Sequence, residues 1–205
     1  VVADCADFHL KMEGEGGYQR LLKKGENFWT ELQHQLKKKR LDQARLRQRL
    51  PGVRLYMKTG KYNLVSRILK YYGYELGKMS MNLTSSSLTG LNGHAEIDSL
   101  VIDSFLVDTV RLAIASKEGA MNYSLQVRNG KKNPQYVFNA FFEGALNAEG
   151  TYIKTSIYDD KDRLGIRMAM QGSMEQKGIR IKVFDDDPIL GYKTFAVNDS
   201  NYIFL

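Results

Sequence analysis

The sequence predicts a mainly-β protein: a long antiparallel sheet preceded by an N-terminal helical insert, α+β overall. Three observations predict it. First, large apolar residues alternate with small, polar or basic ones in Val110 to Ile114, Tyr123 to Val127 and Leu164 to Met170, the period of two that puts one set on one face of a sheet. Second, turn chemistry separates such runs: Ser116-Lys117-Glu118-Gly119, Asn129-Gly130, Asp159 to Asp162, Asp185-Asp186-Asp187-Pro188 and Asn198 to Asn201. Third, the pattern before Tyr74 is mostly helical and carries caps. Strands at this spacing, joined by short turns, form a meander from about Asn92 to Leu205 that is apolar on one side and wet on the other.

The first strand is Asp7 to Glu13, where Phe8, Leu10 and Met12 alternate with His9 and Lys11. Gly14-Glu15-Gly16-Gly17 leads into a helix. The resulting strand, glycines and helix miss the dinucleotide-binding fingerprint, because Gln19 occupies the place of its third glycine. Tyr18 to Lys24 reads as a short helical turn closed by Gly25. Asn27 then caps a second helix with Phe28, Leu32 and Leu36 at four-residue spacing and Trp29 beside them. Asp42 caps a further helix, with Leu41 and Leu46 placed as a hydrophobic staple, and Pro51-Gly52 ends it. Val53 to Lys58 is a short strand. Asn63 caps Leu64 to Tyr72, with Leu64, Ile68 and Tyr72 in one stripe and Gly73 as the C-terminal cap. From Tyr74 the period is two again: Met79, Met81 and Leu83 alternate with Ser80, Asn82 and Thr84. The organisation expected is an N-terminal strand over 1–16, a helical insert with a short strand over 17–73, and the sheet over 74–205.

Hydrophobic residues at 43% and charged ones at 26% are ordinary for a soluble domain. No run approaches the ~18 apolar residues of a spanning helix. The formal net charge of +7 sits largely in Lys37-Lys38-Lys39-Arg40 with Arg45, Arg47 and Arg49, so the basicity belongs to one helical segment. The single cysteine, Cys5, excludes an internal disulfide. Val1 at one end and the strand-like Asn201 to Leu205 at the other read as a segment of a longer protein, with an unpaired strand edge that invites self-association.

No catalytic constellation emerges, and the chain is read as a non-enzyme without metal or cofactor. His9, His34 and His94 lack ligand spacing. The two aspartate clusters miss the alternation and the glycine of a calcium loop, and they read as hairpin turns. Ser85-Ser86-Ser87 lacks the elbow of a nucleophile. The basic helix is first a solvated face. Anionic lipid headgroups are the next reading, through Lys37, Lys38, Lys39, Arg40 and Arg45. Nucleic acid is set aside, because no recognised motif or interleaved aromatics accompany the charge.

Three stretches carry a resemblance: Val101 to Ile114, Val127 to Phe138 and, most specifically, Pro188 to Leu205. They look like the AsmA-like, TamB-type translocation and assembly proteins of Gram-negative bacteria. The resemblance implies a long periplasmic protein anchored in the inner membrane by a segment absent from this chain. It implies antiparallel strands curled into an elongated trough, a "β-taco", with an apolar interior. It also implies a role in outer-membrane biogenesis: phospholipid transport between the membranes or, as the alternative, assembly or secretion of outer-membrane proteins through strand-edge binding. The partners so implied are acyl chains and an outer-membrane assembly protein. The family has no catalytic motif to carry over.

Alternation within the strands assigns Val110, Leu112, Ile114, Tyr123, Leu125, Val127, Phe138, Phe142, Leu164, Ile166, Met168, Met170, Ile179, Ile181 and Val183 to the apolar face. These residues are expected to touch acyl chains in the intact protein, with the N-terminal helices covering part of the same face. Phase across the turns is the sensitive step, since a bulge moves part of a strand to the other side.

Overall fold

The computed structural model describes the chain except residues 39–41, 103–104, 118, 131–135, 148–149, 176–177 and 199. Its elements run β1 (Val2–Cys5), β2 (Phe8–Gly14), α1 (Tyr18–Lys37), α2 (Gln43–Gln48), β3 (Val53–Thr59), α3 (Leu64–Tyr71), β4 (Tyr74–Ser86) and β5 (Gly90–Ile102). They continue through β6 (Phe105–Lys117), β7 (Ala120–Asn129), β8 (Phe138–Asn147), β9 (Gly150–Tyr158), β10 (Leu164–Glu175), β11 (Gly178–Leu190), β12 (Lys193–Thr194) and β13 (Tyr202–Phe204). Among the described residues, thirteen strands form one antiparallel sheet that is curled and unclosed. Strand neighbours follow chain order from β1 to β12, and β13 returns to pair with β11 beside β12.

The sheet reaches further upstream than the alternation from Tyr74 suggests. β1 pairs with β2, β2 with β3, and β3 with β4. The helices are thus insertions between strands of a single sheet, α1 and α2 between β2 and β3, and α3 between β3 and β4.

The two helices expected either side of Gly25 are one, α1. Glycine inside a helix costs about 1 kcal/mol relative to alanine. Here it falls on the inward stripe of Leu21, Gly25, Phe28 and Leu32, whose members are all half-buried. Leu36 does not extend that stripe. It is exposed, and Gln35 is buried in its place. α2 is capped by Asp42, whose Oδ1 accepts from the Arg45 N–H at 3.0 Å. Leu46 is buried, while its expected staple partner Leu41 lies outside the described residues.

α3 has a full capping box. Asn63 Oδ1 accepts from the Ser66 N–H at 2.9 Å, and Ser66 Oγ accepts from the Asn63 N–H at 3.2 Å. Gly73 follows at φ 85°, the left-handed geometry that favours glycine after a helix. The stripe of Leu64, Ile68 and Tyr72 is exposed, whereas Ser66 is buried and Val65 and Leu69 are half-buried.

Asp185-Asp186-Asp187-Pro188, expected as a turn, lies inside β11. Asp187 has φ 46°, and the β10–β11 register shifts opposite it, between Arg167 and Ala169. The aspartates therefore make a bulge, and Lys154 Nζ on β9 reaches Asp186 at 2.6 Å. A second bulge lies at Gly165: Tyr158 pairs with Leu164, but Ile157 pairs with Ile166.

A compact monomer of 23.4 kDa has about 9,700 Å² of accessible surface by the usual size scaling. This chain exposes 13731 Å². Among the described residues only Leu46, Val107, Ala140 and Ala169 are buried hydrophobics. The excess surface follows from one sheet with no second layer packed along its length.

Candidate functional site: an apolar trough

Cross-strand partners share a face of the sheet, so the register locates the apolar side chains without ambiguity. One row runs Leu10, Met57, Met81, Ala95, Leu112, Leu125, Phe142, Thr155, Met168 from β2 to β10. A parallel row runs Met12, Leu55, Leu83, Gly93, Ile114, Tyr123, Gly144, Ile153, Met170, Val183 from β2 to β11. A third holds Ile97, Val110, Val127, Ala140, Ile157 and Ile166. Phe138, paired with Asn129, lies two residues before Ala140 on the same face. Ile181 and Ile179, opposite Gly172 and Met174, continue that face on β11.

The register places fourteen of the fifteen residues assigned by alternation on this one face, and Leu164 on the other. Leu164 pairs with Tyr158, the neighbour of Ile157, so it points to the opposite side from Ile166. The cause is the extra residue at Gly165, where an added Cβ would approach the Tyr192 ring at 3.3 Å. Sequence reading also left out the N-terminal part of the face: Phe8, Leu10 and Met12 on β2, Leu55 and Met57 on β3, and Met79, Met81 and Leu83 on β4. Their alternation is visible in the chain. Only the pairing of β3 with both β2 and β4 joins them to the rest.

The lining is mostly half-buried along these rows, with Ala140 buried and Ile179 exposed, and its members are less exposed than the facing-out Arg111, Ala113, Asn122 and Ser124. The outer face carries the polar rows, among them Glu96 and Arg111, paired at 2.8 Å. Small residues keep the lining open. Gly93, at φ 147°, and Gly144 both sit where a Cβ would meet the neighbouring strand's backbone.

α1 and α2 sit at one rim of the sheet. Gln43 Nε2 donates to the Leu146 carbonyl at 2.7 Å, and the Arg47 guanidinium donates to the Leu88 carbonyl in the β4–β5 turn. α2 thus ties the turn before β5 to the end of β8. The hairpin is held by a buried carboxylate: Glu31 accepts from Gln35 Nε2 at 2.9 Å and pairs with Arg45 at 2.9 Å and Arg49 at 3.3 Å. The Gln35 hydrogen bond and, against the opposing effect of burial, the two guanidiniums hold Glu31 below the usual glutamate range. Gln35 Oε1 in turn accepts from the Asp42 N–H at 2.6 Å.

Lys37 and Lys38 are exposed at the end of α1, Lys39 and Arg40 lie outside the described residues, and Arg45 is committed to Glu31. Among the described residues, no three His, Cys, Asp or Glu side chains are placed to hold a metal ion. Nor is any helix among them long and apolar enough to cross a membrane. Compared with family models, with curated proteins and with solved structures, the chain finds no match in any of the three.

Proposed function

We propose that this chain is a length of lipid-conducting trough in a periplasmic protein of the AsmA-like, TamB type, anchored in the inner membrane elsewhere in its sequence and serving outer-membrane biogenesis. The observation that carries the reading is the continuity of two apolar rows over nine and ten strands of one curled sheet. An acyl chain laid along such a surface gains roughly 25 cal/mol per Å² of apolar area removed from water, about 0.8 kcal/mol per buried methylene. The gain has no direction, so a tail can slide from strand to strand. The methionines Met57, Met81, Met168 and Met170 offer side chains that adapt to a moving tail. The reaction is transfer without bond chemistry, and no residue is assigned a catalytic role.

The second reading is a scaffold that holds client strands. What favours it is the outer edge of β1, whose Val2 and Asp4 turn their backbone away from β2, because Val1 and Met12 form the hydrogen-bonded pair. Native mass spectrometry of the purified chain separates the two readings. Co-purified phospholipid supports the conduit. A captured extended peptide with no lipid supports the scaffold and contradicts the conduit.

A further inference from the structure

The helix α3 is inside out. Its buried side is polar at the N-terminus: the Asn63 amide donates to Asp7 Oδ1 at 2.6 Å and to Thr59 Oγ1 at 2.9 Å, and Ser66 Oγ donates to the Lys61 carbonyl at 2.7 Å. Asp7 also accepts from the Tyr62 N–H at 2.9 Å. These bonds fix the helix's rotation about its axis. They leave Leu64 63%, Ile68 50% and Tyr71 85% exposed on the outward side.

The exposed apolar surface continues along the same rim. Tyr74 pairs with Ile102, Ile102 with Phe105, and the Phe105 ring stands edge-on to Tyr136 at 5.6 Å. All four are among the exposed large hydrophobics. An apolar band of this kind on a monomer marks a contact surface.

We propose that this rim docks onto the surface of a phospholipid bilayer containing anionic lipid, with α3 lying in the interface. Three features select a bilayer over a protein. Residues 61–73 carry Lys61, Arg67 and Lys70 and no acid; Lys70 pairs with Glu75 at 3.0 Å, which leaves Lys61 and Arg67 as the charge that an anionic surface attracts. Tyr71, Tyr74 and Tyr136 stand in the band, and their amphipathic rings suit the headgroup level. A helix of eight residues is about 12 Å long and about 10 Å across, so one face offers roughly 120 Å², a small part of the roughly 800 Å² that each side of a stable protein pair contributes. An interfacial helix needs only its apolar side immersed. Docking by this rim would present the strand ends of the sheet to the bilayer, at the side away from α1 and α2.

The inference stands on α3 and does not require the trough to hold lipid. The experiment is flotation of the whole chain with vesicles of phosphatidylethanolamine and phosphatidylglycerol at 3:1, and with vesicles of phosphatidylcholine alone. The parent should float with the anionic vesicles, more weakly with the neutral ones, and less at high salt. Leu64→Glu/Ile68→Glu, at two exposed positions that leave the fold intact by circular dichroism, should lower anionic-vesicle binding at least about tenfold, since two buried aliphatic side chains are lost from the contact. Leu88→Glu, at an exposed position in the β4–β5 turn on the opposite rim, should float like the parent. A parent that floats with neither vesicle overturns the proposal, as does a Leu64→Glu/Ile68→Glu chain that floats undiminished. Self-association abolished by that variant, with no vesicle binding by the parent, would assign the stripe to a protein partner and overturn it equally.

Discussion

The Tyr123 side chain on β7 lies over Gly144 on β8, and its hydroxyl donates to the Tyr152 carbonyl on β9 at 3.2 Å. A Cβ at Gly144 would fall 2.6 Å from that hydroxyl. One aromatic residue thus fills the gap left by a glycine and ties three strands together on the apolar face. Gly144→Val should lower stability by about 1–3 kcal/mol through overpacking, read as a lower urea midpoint. An unchanged midpoint would mean that both the Tyr123 ring and the Tyr152 carbonyl on β9 give way without cost.

The exposed edge of the last strand makes a second prediction. Ile179 and Leu205 exchange both backbone hydrogen bonds, so Tyr202 and Phe204 turn theirs outward. Along β11, β13 covers Arg180 to Lys182 and β12 covers Ile189 and Leu190. The interval between them carries the three aspartates and Pro188, which discourage strand addition. On the β11 side, self-association at raised concentration should therefore run through β13, with the outer edge of β1 as the other open edge. Phe204→Pro, which removes an outward N–H and no internal bond, should shift the sedimentation profile to monomer. A parent that is already monomeric at high concentration would contradict the prediction.

Acid sensitivity should concentrate at the β9–β10 turn. Burial alone would raise the Asp159 carboxyl, but the Arg163 N–H and guanidinium, the Tyr192 hydroxyl and the Lys161 N–H outweigh it and hold it far below its ordinary 3.8. A depressed folded value means that the ionised group stabilises the fold fully above the ordinary value and loses that contribution as pH falls through the folded one. Asp159→Asn should lower the melting temperature at neutral pH, and the gap to the parent should narrow only in strong acid. A gap that is the same at all pH values would remove the carboxylate's charge from the explanation.

The sheet was legible from the chain because one face is continuously apolar, while the other mixes polar rows with Val107, Ala169 and the Phe141–Tyr158 ring pair: a period of two survives wherever the pleat does. Local order failed where a bulge interrupts it. Gly165 moves Leu164 across the sheet, and the aspartates of β11 look like a turn because bulges and turns draw on the same residues. The membership of β2 and β3 was hidden by the helices between them, since pairing across an insertion leaves no local mark. For α1, the glycine that reads as a stop lies on the inward stripe, where no side chain is required. For α3, amphipathicity was plain but its direction was not. Asp7, far away in the chain, fixes that direction through Asn63 and the Tyr62 N–H.

Charge placed on the lining should affect lipid more than fold. Leu125→Arg and Met168→Arg sit on half-buried positions, where the guanidinium can reach water with its stem along the sheet. Both variants should retain their circular dichroism spectrum and cooperative melting while losing co-purified phospholipid, because a charge in the path of a tail carries a desolvation cost. Loss of folding in both would point to a closed core at these positions.

The most direct test of the trough is a pair of photo-crosslinking residues on adjacent positions of β7 that face opposite ways. Leu125 lines the apolar face, and Ser124 is exposed on the outer one. With a photoreactive phenylalanine analogue at each position in turn and the chain expressed in Gram-negative cells, the trough account predicts phospholipid adducts from position 125 and none above background from position 124. Equal labelling from both faces, or no lipid adduct from position 125 in a folded chain, would contradict it.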